Sequence, residues 1–248
     1  RRFARNLLGQ GVQARQLTEL ISHLNDVLTE RLVTLVAGQH QIDLTCVCWL
    51  AFGSEGRSEQ TIATDQDNGI VFTSDDAPRE RTRLLAFARD VNEALDACGY
   101  PLCKGNVMAS NPECCLTQAE WLARFASWID HGAPEDLLNA SIYFDFRPLA
   151  GDATLTQSMR EMVSQHAGRN ARFMKQMAEN SLRNSPALNW RGGIDAESRD
   201  GQEVVDLKPR GTAIYVDAAR LYSLAHGVTA GNTRERFDAV ARLLGVPT

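Results

Sequence analysis

The segment FGSEGRSEQTIATDQDNGIVF, Phe52 to Phe72, places a Gly-Ser pair ten residues before two acids that one residue separates. Residues two apart in an extended chain point to the same side, so Asp65 and Asp67 would direct both carboxylates to one place. Two such charges about 4 Å apart repel by about 4 kcal/mol at an effective dielectric constant of 20. Either a carboxyl takes up a proton or a cation lies between them. Mg²⁺ (or Mn²⁺) prefers oxygen ligands and keeps waters and substrate phosphates as its other ligands, which suits this pair.

The Gly-Ser pair supplies a complementary feature. Gly53 lets the backbone turn closely, and Ser54 can cap a short helix whose first N–H groups form an anion site. Phosphate at this turn and metal at the two acids would together describe a nucleoside triphosphate. Neither half is specific alone, because an Asp-x-Asp pair in a polar turn is commonly a solvated loop.

The elements that must position these residues follow from hydrophobic periodicity. Apolar residues recur every three or four positions from Gln16 to Val36, which predicts a long amphipathic helix. This helix packs on a core, forms a dimer seam, or connects to an upstream domain. The residues Thr45–Phe52 and Asn68–Phe72 are typical of strands, and a helix is expected from Pro78 to Ala97.

The second half of the chain contains one more predicted strand and is otherwise helical. Thr117 and Glu120 form a capping box that opens a helix. Ser141–Leu149 is interpreted as a third strand and carries the acid Asp145. After Gly151 helical periodicity dominates, with a Gly-rich polar section, NWRGGIDAESRDGQEVVDLKPRG, that can form a hairpin. A last helix is expected from the capping pair Asn232 and Glu235 to just before Gly245.

The order strand, Gly-Ser, ten residues, Asp-x-Asp, strand resembles the signature of the nucleotidyltransferase superfamily of DNA polymerase beta. Within it, GSEGRSEQTIATDQDNGIVF is similar to the nucleotidyltransferase domain found downstream of cyclic-nucleotide-binding and CBS modules in bacterial signalling proteins, a domain related to PII uridylyltransferase and glutamine synthetase adenylyltransferase. The segment IYFDFRPLAGD resembles that group's third-carboxylate strand. VVDLKPRGTAIYVDAARLYSLAHGVTAGNTRERF resembles its C-terminal helical domain. Gln66 departs from the superfamily pattern, in which an apolar residue is common, but it resembles what this subfamily has at that position.

The resemblance implies a fold and a site. The expected fold class is α+β, with a polymerase-beta-like core whose mixed sheet is flanked by helices, a long N-terminal helix, and a C-terminal all-helical domain. The implied divisions are 1–38, 39–150 and 151–248. Asp65, Asp67 and Asp145 would be the catalytic, metal-binding acids. The residues implied to bind nucleotide are Gly53, Ser54, Arg57 and Lys208.

Composition restricts the classes of partner. The 248 residues are 44% hydrophobic and carry a net charge of −5, so a large core is expected, whereas no general basic face for duplex nucleic acid is. No apolar run is long enough for a membrane span, which predicts a cytoplasmic protein. The six cysteines lack the paired spacing of a structural zinc site and are expected to be reduced, packed thiols, the alternative being a loop site at Cys103, Cys114 and Cys115. The first residue is Arg, so upstream regulatory domains are expected.

Two functions from different classes follow. The first is a magnesium-dependent enzyme that moves a nucleoside monophosphate from an NTP to a protein or small-molecule hydroxyl in bacterial signal transduction. The second is a catalytically silent module that binds nucleotide and magnesium and is coupled to an upstream sensor. A purely structural interaction domain is a third alternative. The acceptor, the preferred base and the oligomeric state do not follow from the sequence.

Overall fold

The structure is a computed structural model, and it describes residues 2–62, 64–189, 191–199 and 201–246. Helices and short strands alternate through the first two thirds of this part of the chain, and helices predominate after β4. The helices are α1 Arg2–Gly9, α2 Ala14–His40, α3 Gly53–Gly56, α4 Ala77–Ala97, α5 Gln118–His131, α6 Pro134–Tyr143, α7 Gln157–Arg169, α8 Ala171–Ser181, α9 Ala213–Ala225 and α10 Thr233–Leu244. The strands are β1 Val47–Ala51, β2 Asn68–Phe72, β3 Cys115–Thr117, β4 Arg147–Gly151, β5 Glu197–Arg199 and β6 Gln202–Val204.

The first four strands form one mixed sheet in the order β3-β2-β1-β4. Strand β1 is antiparallel to both β2 and β4, and β3 is parallel to β2. Ala51 pairs with Asn68 on one side and with Arg147 on the other. The end of β1 and the beginnings of β2 and β4 therefore lie at the same end of the sheet, and this end carries the predicted site.

The core beside this sheet is apolar and contains both long helices. Residues of α2 and α4 pack with inward side chains of β1 and β2, and the largest fully buried members are Trp49, Ile70, Phe72, Leu84, Phe87 and Leu95. Trp49 and Phe87 meet edge to face, with 6.1 Å between ring centroids. Burial of this apolar surface is the main stabilising contribution for the sheet end that presents the site.

Most elements predicted from periodicity are confirmed. The long amphipathic helix is part of α2, β2 has the predicted bounds, and α4 begins one residue early. The capping box is formed, because the Glu120 carboxylate accepts from the Thr117 N–H at 2.8 Å and the Thr117 hydroxyl accepts from the Glu120 N–H at 3.2 Å. Asn232 caps α10 and Gly245 ends it in the left-handed conformation.

The predicted strands differ from the observed ones in two places. The segment Ser141–Leu149 is not one strand, since α6 continues to Tyr143 and β4 begins only at Arg147. Asp145 therefore lies in the irregular link before β4. The aromatic run SIYFDF fits the buried face of a helix end as well as it fits a strand, which is why its period misled the interpretation. Strand β3, only three residues long, has no counterpart among the predicted strands.

The described chain divides into two compact units. The first contains residues 1–125 and 142–161, and the second contains residues 126–141 and 162–248. The described residues of the second unit form helices, the antiparallel hairpin of β5 and β6, and an isolated bridge between Leu188 and Ile194. The C-terminal part is therefore not all-helical, although a hairpin was anticipated from the Gly-rich sequence. The overall class is α+β, as predicted. In the described residues, every helix is too short or too polar to cross a membrane.

Candidate active site

The two acids of the Asp-x-Asp pair lie on the outward side of the segment that enters β2. The Phe52 N–H donates to the Asp67 carbonyl at 2.8 Å, which continues the β1–β2 ladder one residue beyond the named strands. Asp65 is exposed and Asp67 is half-buried, whereas Gln66 and Asn68 are buried. This alternation agrees with the sequence argument that both carboxylates face one side.

The Gly53 turn lies directly beside Asp67. Gly53 opens α3 with φ of +55°, in the left-handed region that favours glycine. A Cβ atom at this position would be 3.4 Å from Oδ2 of Asp67, so glycine leaves space beside that carboxylate. The prediction that Ser54 caps the short helix was wrong, because Phe52 occupies the N-cap position, without a capping side-chain bond, and Ser54 lies within α3.

Asp145 is brought to the same turn, and its carboxylate faces a cation. The Asp145 side chain has no exposed area, and its Oδ2 is 2.6 Å from Nη1 of Arg57. Arg57 also reaches Oε2 of Glu59 at 2.9 Å through Nε. Gly56 permits this approach, because a Cβ there would lie 1.9 Å from the Asp145 carbonyl oxygen. The turn can therefore pack against Asp145 only with glycine at position 56.

Arg147, which follows Asp145 by two residues, has other partners. Its Nη2 is 2.6 Å from Oδ1 of Asp26 on α2, and its Nε donates to the Glu55 carbonyl at 2.9 Å. Arg147 thus ties the turn to α2. The arginine that pairs with Asp145 is therefore Arg57 of the turn, whereas Arg147 pairs with Asp26.

The burial of the Glu55 carboxyl group, within α3, could not be predicted from the sequence. Glu55 is 1% exposed, and its Oε2 accepts a hydrogen bond from the Tyr100 hydroxyl at 2.7 Å. Gln60 donates to the same hydroxyl, and Asn25 on α2 donates to Gln60 at 3.1 Å. Burial raises the pKa of Glu55 to about 8, against the opposing effects of Tyr100 and Arg147. The group is therefore largely neutral near pH 7.

A thiol also contacts the acid pair. The Cys103 Sγ donates to Oδ1 of Asp67 at 3.2 Å. Partial burial raises the pKa of the Cys103 thiol, and the negative charge of Asp67 adds to the effect. The thiol is thus kept in its protonated, hydrogen-bond-donating form. All six cysteines are free thiols. The expectation that they are packed holds for Cys48, Cys114 and Cys115, which are buried, but not for Cys46 and Cys98, which are exposed.

Six of the seven predicted site residues lie in the first compact unit, and Lys208 lies in the second. Lys208 begins the π-helical turn Lys208–Thr212 and is exposed. Its backbone N–H donates to the Asp206 carboxylate at 3.1 Å. A nucleotide-binding role for Lys208 stays a prediction.

The donor atoms present fit one divalent cation better than two. Asp65 and Asp67 offer outward carboxylates at one strand entrance, and the missing side chain of Gly53 leaves space beside Asp67. Mg²⁺ prefers hard oxygen ligands of this kind. In contrast, Asp145 already contacts Arg57. In the part of the chain that the structure describes, no three His, Cys, Asp or Glu side chains form a group that could hold a metal ion.

Comparison with protein families shows which family the chain belongs to. Residues 1–135 match a family described as "Putative nucleotidyltransferase DUF294". The chain belongs to the DUF294 family. Residues 171–246 match a second family model, described as "Putative nucleotidyltransferase substrate binding domain". No curated protein and no solved structure matches the chain.

The two matches divide the predicted site residues. The DUF294 match contains the Gly53 turn, Arg57 and both acids of the pair, and the second match contains Lys208. Asp145 lies between the matched segments, so its place in the site depends on the structure and on the resemblance of its own segment.

Proposed function

We propose that this member of the DUF294 family transfers a nucleoside monophosphate from an NTP to a hydroxyl group of a protein or small molecule. In the reaction the acceptor oxygen forms a bond to the α-phosphorus, and the bond from that phosphorus to the β-bridging oxygen breaks. Pyrophosphate leaves, and the hydroxyl proton passes to a base or to water. The fold of the first unit is then of the polymerase-beta type.

The observation that carries the proposal is the position of the acid pair beside a glycine turn. Asp65 and Asp67 face outward at the entrance to β2. The Asp67 carboxylate lies beside Gly53, 3.4 Å from the position that a Cβ atom would occupy. Asp65 and Asp67 would hold Mg²⁺ with the triphosphate, and bound Mg²⁺ would neutralise charge on the departing pyrophosphate. The backbone at Gly53 and the hydroxyl of Ser54 would contact the phosphates.

The third acid and its arginine have roles that depend on each other. If the 2.6 Å ion pair between them opens, Arg57 can turn toward a triphosphate and the carboxylate of Asp145 can turn toward a second metal ion. Nucleotide phosphates are a competing anionic partner for the guanidinium. We therefore assign Arg57 to the phosphates and Asp145 to the acceptor side of the site in the loaded state. Lys208 would contribute a point charge toward the nucleotide.

The same ion pair favours the second candidate function. A module that binds nucleotide and magnesium without turnover would also have a resting state in which Arg57 pairs with Asp145. Such a module would carry the state of an upstream sensor domain to a partner. The enzyme is preferred because all three acids are present and are brought to one end of the sheet.

The test is pyrophosphate release. The purified chain is incubated with each labelled NTP and Mg²⁺, with and without cell extract, and pyrophosphate and labelled acceptor are measured. The enzyme releases pyrophosphate and labels an acceptor. The silent module binds NTP but releases none, and absence of NTP binding would contradict both functions.

A further inference from the structure

The residue between the two acids is more deeply buried than either of them. Gln66 has no exposed area, and Asn68, on the other side of Asp67, is 1% exposed. A long polar side chain is unusual in such a place, because burying an amide without partners is costly. Where do its hydrogen bonds go?

The amide of Gln66 is held from two directions. Its Nε2 donates to the backbone carbonyl of Tyr100 at 2.7 Å and to that of Asn92 at 3.0 Å. Its Oε1 accepts from Nδ2 of Asn92 at 2.8 Å. The Gln66 backbone N–H also donates to the carbonyl of Pro101 at 2.9 Å. The segment is therefore fixed at its backbone and at the end of its side chain.

Asn68 and Asn92 complete the cluster, which we call the amide clamp: Gln66, Asn68 and Asn92. Nδ2 of Asn92 donates to Oδ1 of Asn68 at 3.0 Å, and that oxygen also accepts from the Ala109 N–H at 2.8 Å. Oδ1 of Asn92 accepts from the Ser110 N–H at 3.2 Å. Nδ2 of Asn68 donates to Oε1 of Gln66 at 3.4 Å, so each of the six amide oxygen and nitrogen atoms in the clamp has a partner. The clamp itself carries no charge.

The clamp has a consequence for the acids. Three separate parts of the first unit, namely α4, the link at residues 100–101 and the loop at residues 107–109, hold the two inward residues that flank Asp67. In an extended segment, fixing the inward residues fixes the direction of the outward ones. Asp65 and Asp67 repel each other, and a loosely held segment would rotate to separate them. A satisfied buried amide network opposes that rotation more specifically than an apolar side chain would.

We infer that Gln66 and Asn92 are positioning residues that keep the carboxylates of Asp65 and Asp67 directed at one cation. The inference rests on the proposed function, since it assigns the acids to a metal. Neither residue would touch the cation or the nucleotide. Both would act through the direction of the acid pair, as residues that support metal ligands do elsewhere.

The test compares metal affinity with stability in matched variants. Asn92→Ala changes a residue of α4, which carries no proposed ligand, and Gln66→Met keeps an unbranched side chain without the amide. Val91→Ala is the control, because Val91 is fully buried on the same helix, next to Asn92, but takes no part in the clamp. Mn²⁺ affinity is measured by calorimetry, and stability by thermal unfolding.

We expect both clamp variants to lose about 10-fold or more in Mn²⁺ affinity, the range found when supporting residues of metal ligands are removed. Val91→Ala should lower the melting temperature and leave the affinity unchanged. Parental affinity in a folded Asn92→Ala or Gln66→Met variant would overturn the inference and leave the proposed function standing. If Val91→Ala weakens Mn²⁺ as much as the clamp variants do, the effect is one of stability, and the inference is again overturned. A parent protein that binds no Mn²⁺ would overturn the proposed metal site itself and the inference with it.

Discussion

The Arg57 guanidinium lies 2.6 Å from the carboxylate of Asp145, whose side chain has no exposed area. These residues are 88 positions apart in the chain and meet because Gly56 lets the turn approach the Asp145 backbone. The pair neutralises the most deeply buried of the three candidate acids. The strength of this ion pair should therefore affect the stability of the protein, and its opening should affect whether Asp145 can bind a metal ion.

Removing Arg57 should destabilise the protein, and Mn²⁺ should restore part of the loss. Arg57→Gln removes the guanidinium that faces this shielded carboxylate, and breaking a buried pair in this way costs about 3 to 5 kcal/mol. If Asp145 can take a metal once Arg57 is absent, Mn²⁺ raises the melting temperature of this variant more than that of the parent. Thermal unfolding with and without Mn²⁺ measures both effects.

The control is the double variant Arg57→Gln with Asp145→Asn. Without the buried charge it should be more stable than Arg57→Gln alone, because the two substitutions are coupled. It should also lose the additional stabilisation by Mn²⁺. Equal stabilisation of the single and double variants would exclude Asp145 as a metal ligand.

Glu55 predicts a pH dependence of stability. Its pKa is raised by burial from about 4.5 to about 8, so between these values the folded chain holds a proton that the unfolded chain has lost. The contribution of neutral Glu55 is fully present below pH 4.5 and is lost as pH rises toward 8. Over this window the free energy of unfolding should fall by up to about 1.4 kcal/mol per pH unit from this group.

Glu55→Gln should abolish that part of the slope and make the protein more stable than the parent at pH 8, since a neutral amide can still accept from Tyr100. Urea unfolding at a series of pH values is the measurement. The matched control is Glu59→Gln, which changes an acid of the same turn that is more exposed and pairs with Arg57. An unchanged slope in Glu55→Gln would show that Glu55 is ionised in the folded protein.

The sequence could predict those parts of the site that lie close together along the chain. The spacing from Gly53 to Asp67 and the alternation at Asp65 are local properties, and the strand that follows was predicted with its observed bounds. The start of α6 had a usable signal as well, since Pro134 begins the helix and Asp136 caps the Ala133 N–H at 2.9 Å. A helix of 10 residues that begins at Pro134 reaches Tyr143, so this signal competes with the strand predicted over Ser141–Leu149.

The contacts made through space could not be predicted. Glu55 and Tyr100 are 45 residues apart, and Gln66 and Asn92 are 26 apart. Nothing in a single sequence indicates that these polar residues turn inward and satisfy each other, because an isolated Gln or Glu is normally a solvated residue. The same reasoning applies to Arg57, whose choice of Asp145 over solvent depends on packing at Gly56.

Gly53→Val should remove nucleotide binding. The substitution places a branched side chain at a φ of +55° and within contact distance of Asp67, where the phosphates are proposed to lie. The left-handed conformation alone costs about 1 to 2 kcal/mol for a residue with a Cβ. Gly11→Ala is the control for this strain, because Gly11 has φ of +83° and no neighbour within 4 Å of an added Cβ. Calorimetry with NTP and Mg²⁺ should detect a large loss only in Gly53→Val, and an unchanged affinity would place the phosphates elsewhere.

Asp67→Asn should weaken metal binding and transfer more than Asp65→Asn does. Asp67 is half-buried, lies against Gly53 and accepts from Cys103, so its carboxylate is better fixed and less hydrated than that of exposed Asp65. We expect Asp67→Asn to reduce Mn²⁺ affinity and pyrophosphate release by more than about 10-fold, since a ligand should matter at least as much as the residues that support it. Asp75→Asn is the control, because Asp75 is an exposed acid that follows β2 at its other end. Equal losses in Asp65→Asn and Asp67→Asn would mean that both carboxylates are direct and equivalent ligands. Parental activity in Asp67→Asn would contradict the proposal that the acid pair is the metal site, whether or not Asp145 binds a metal ion.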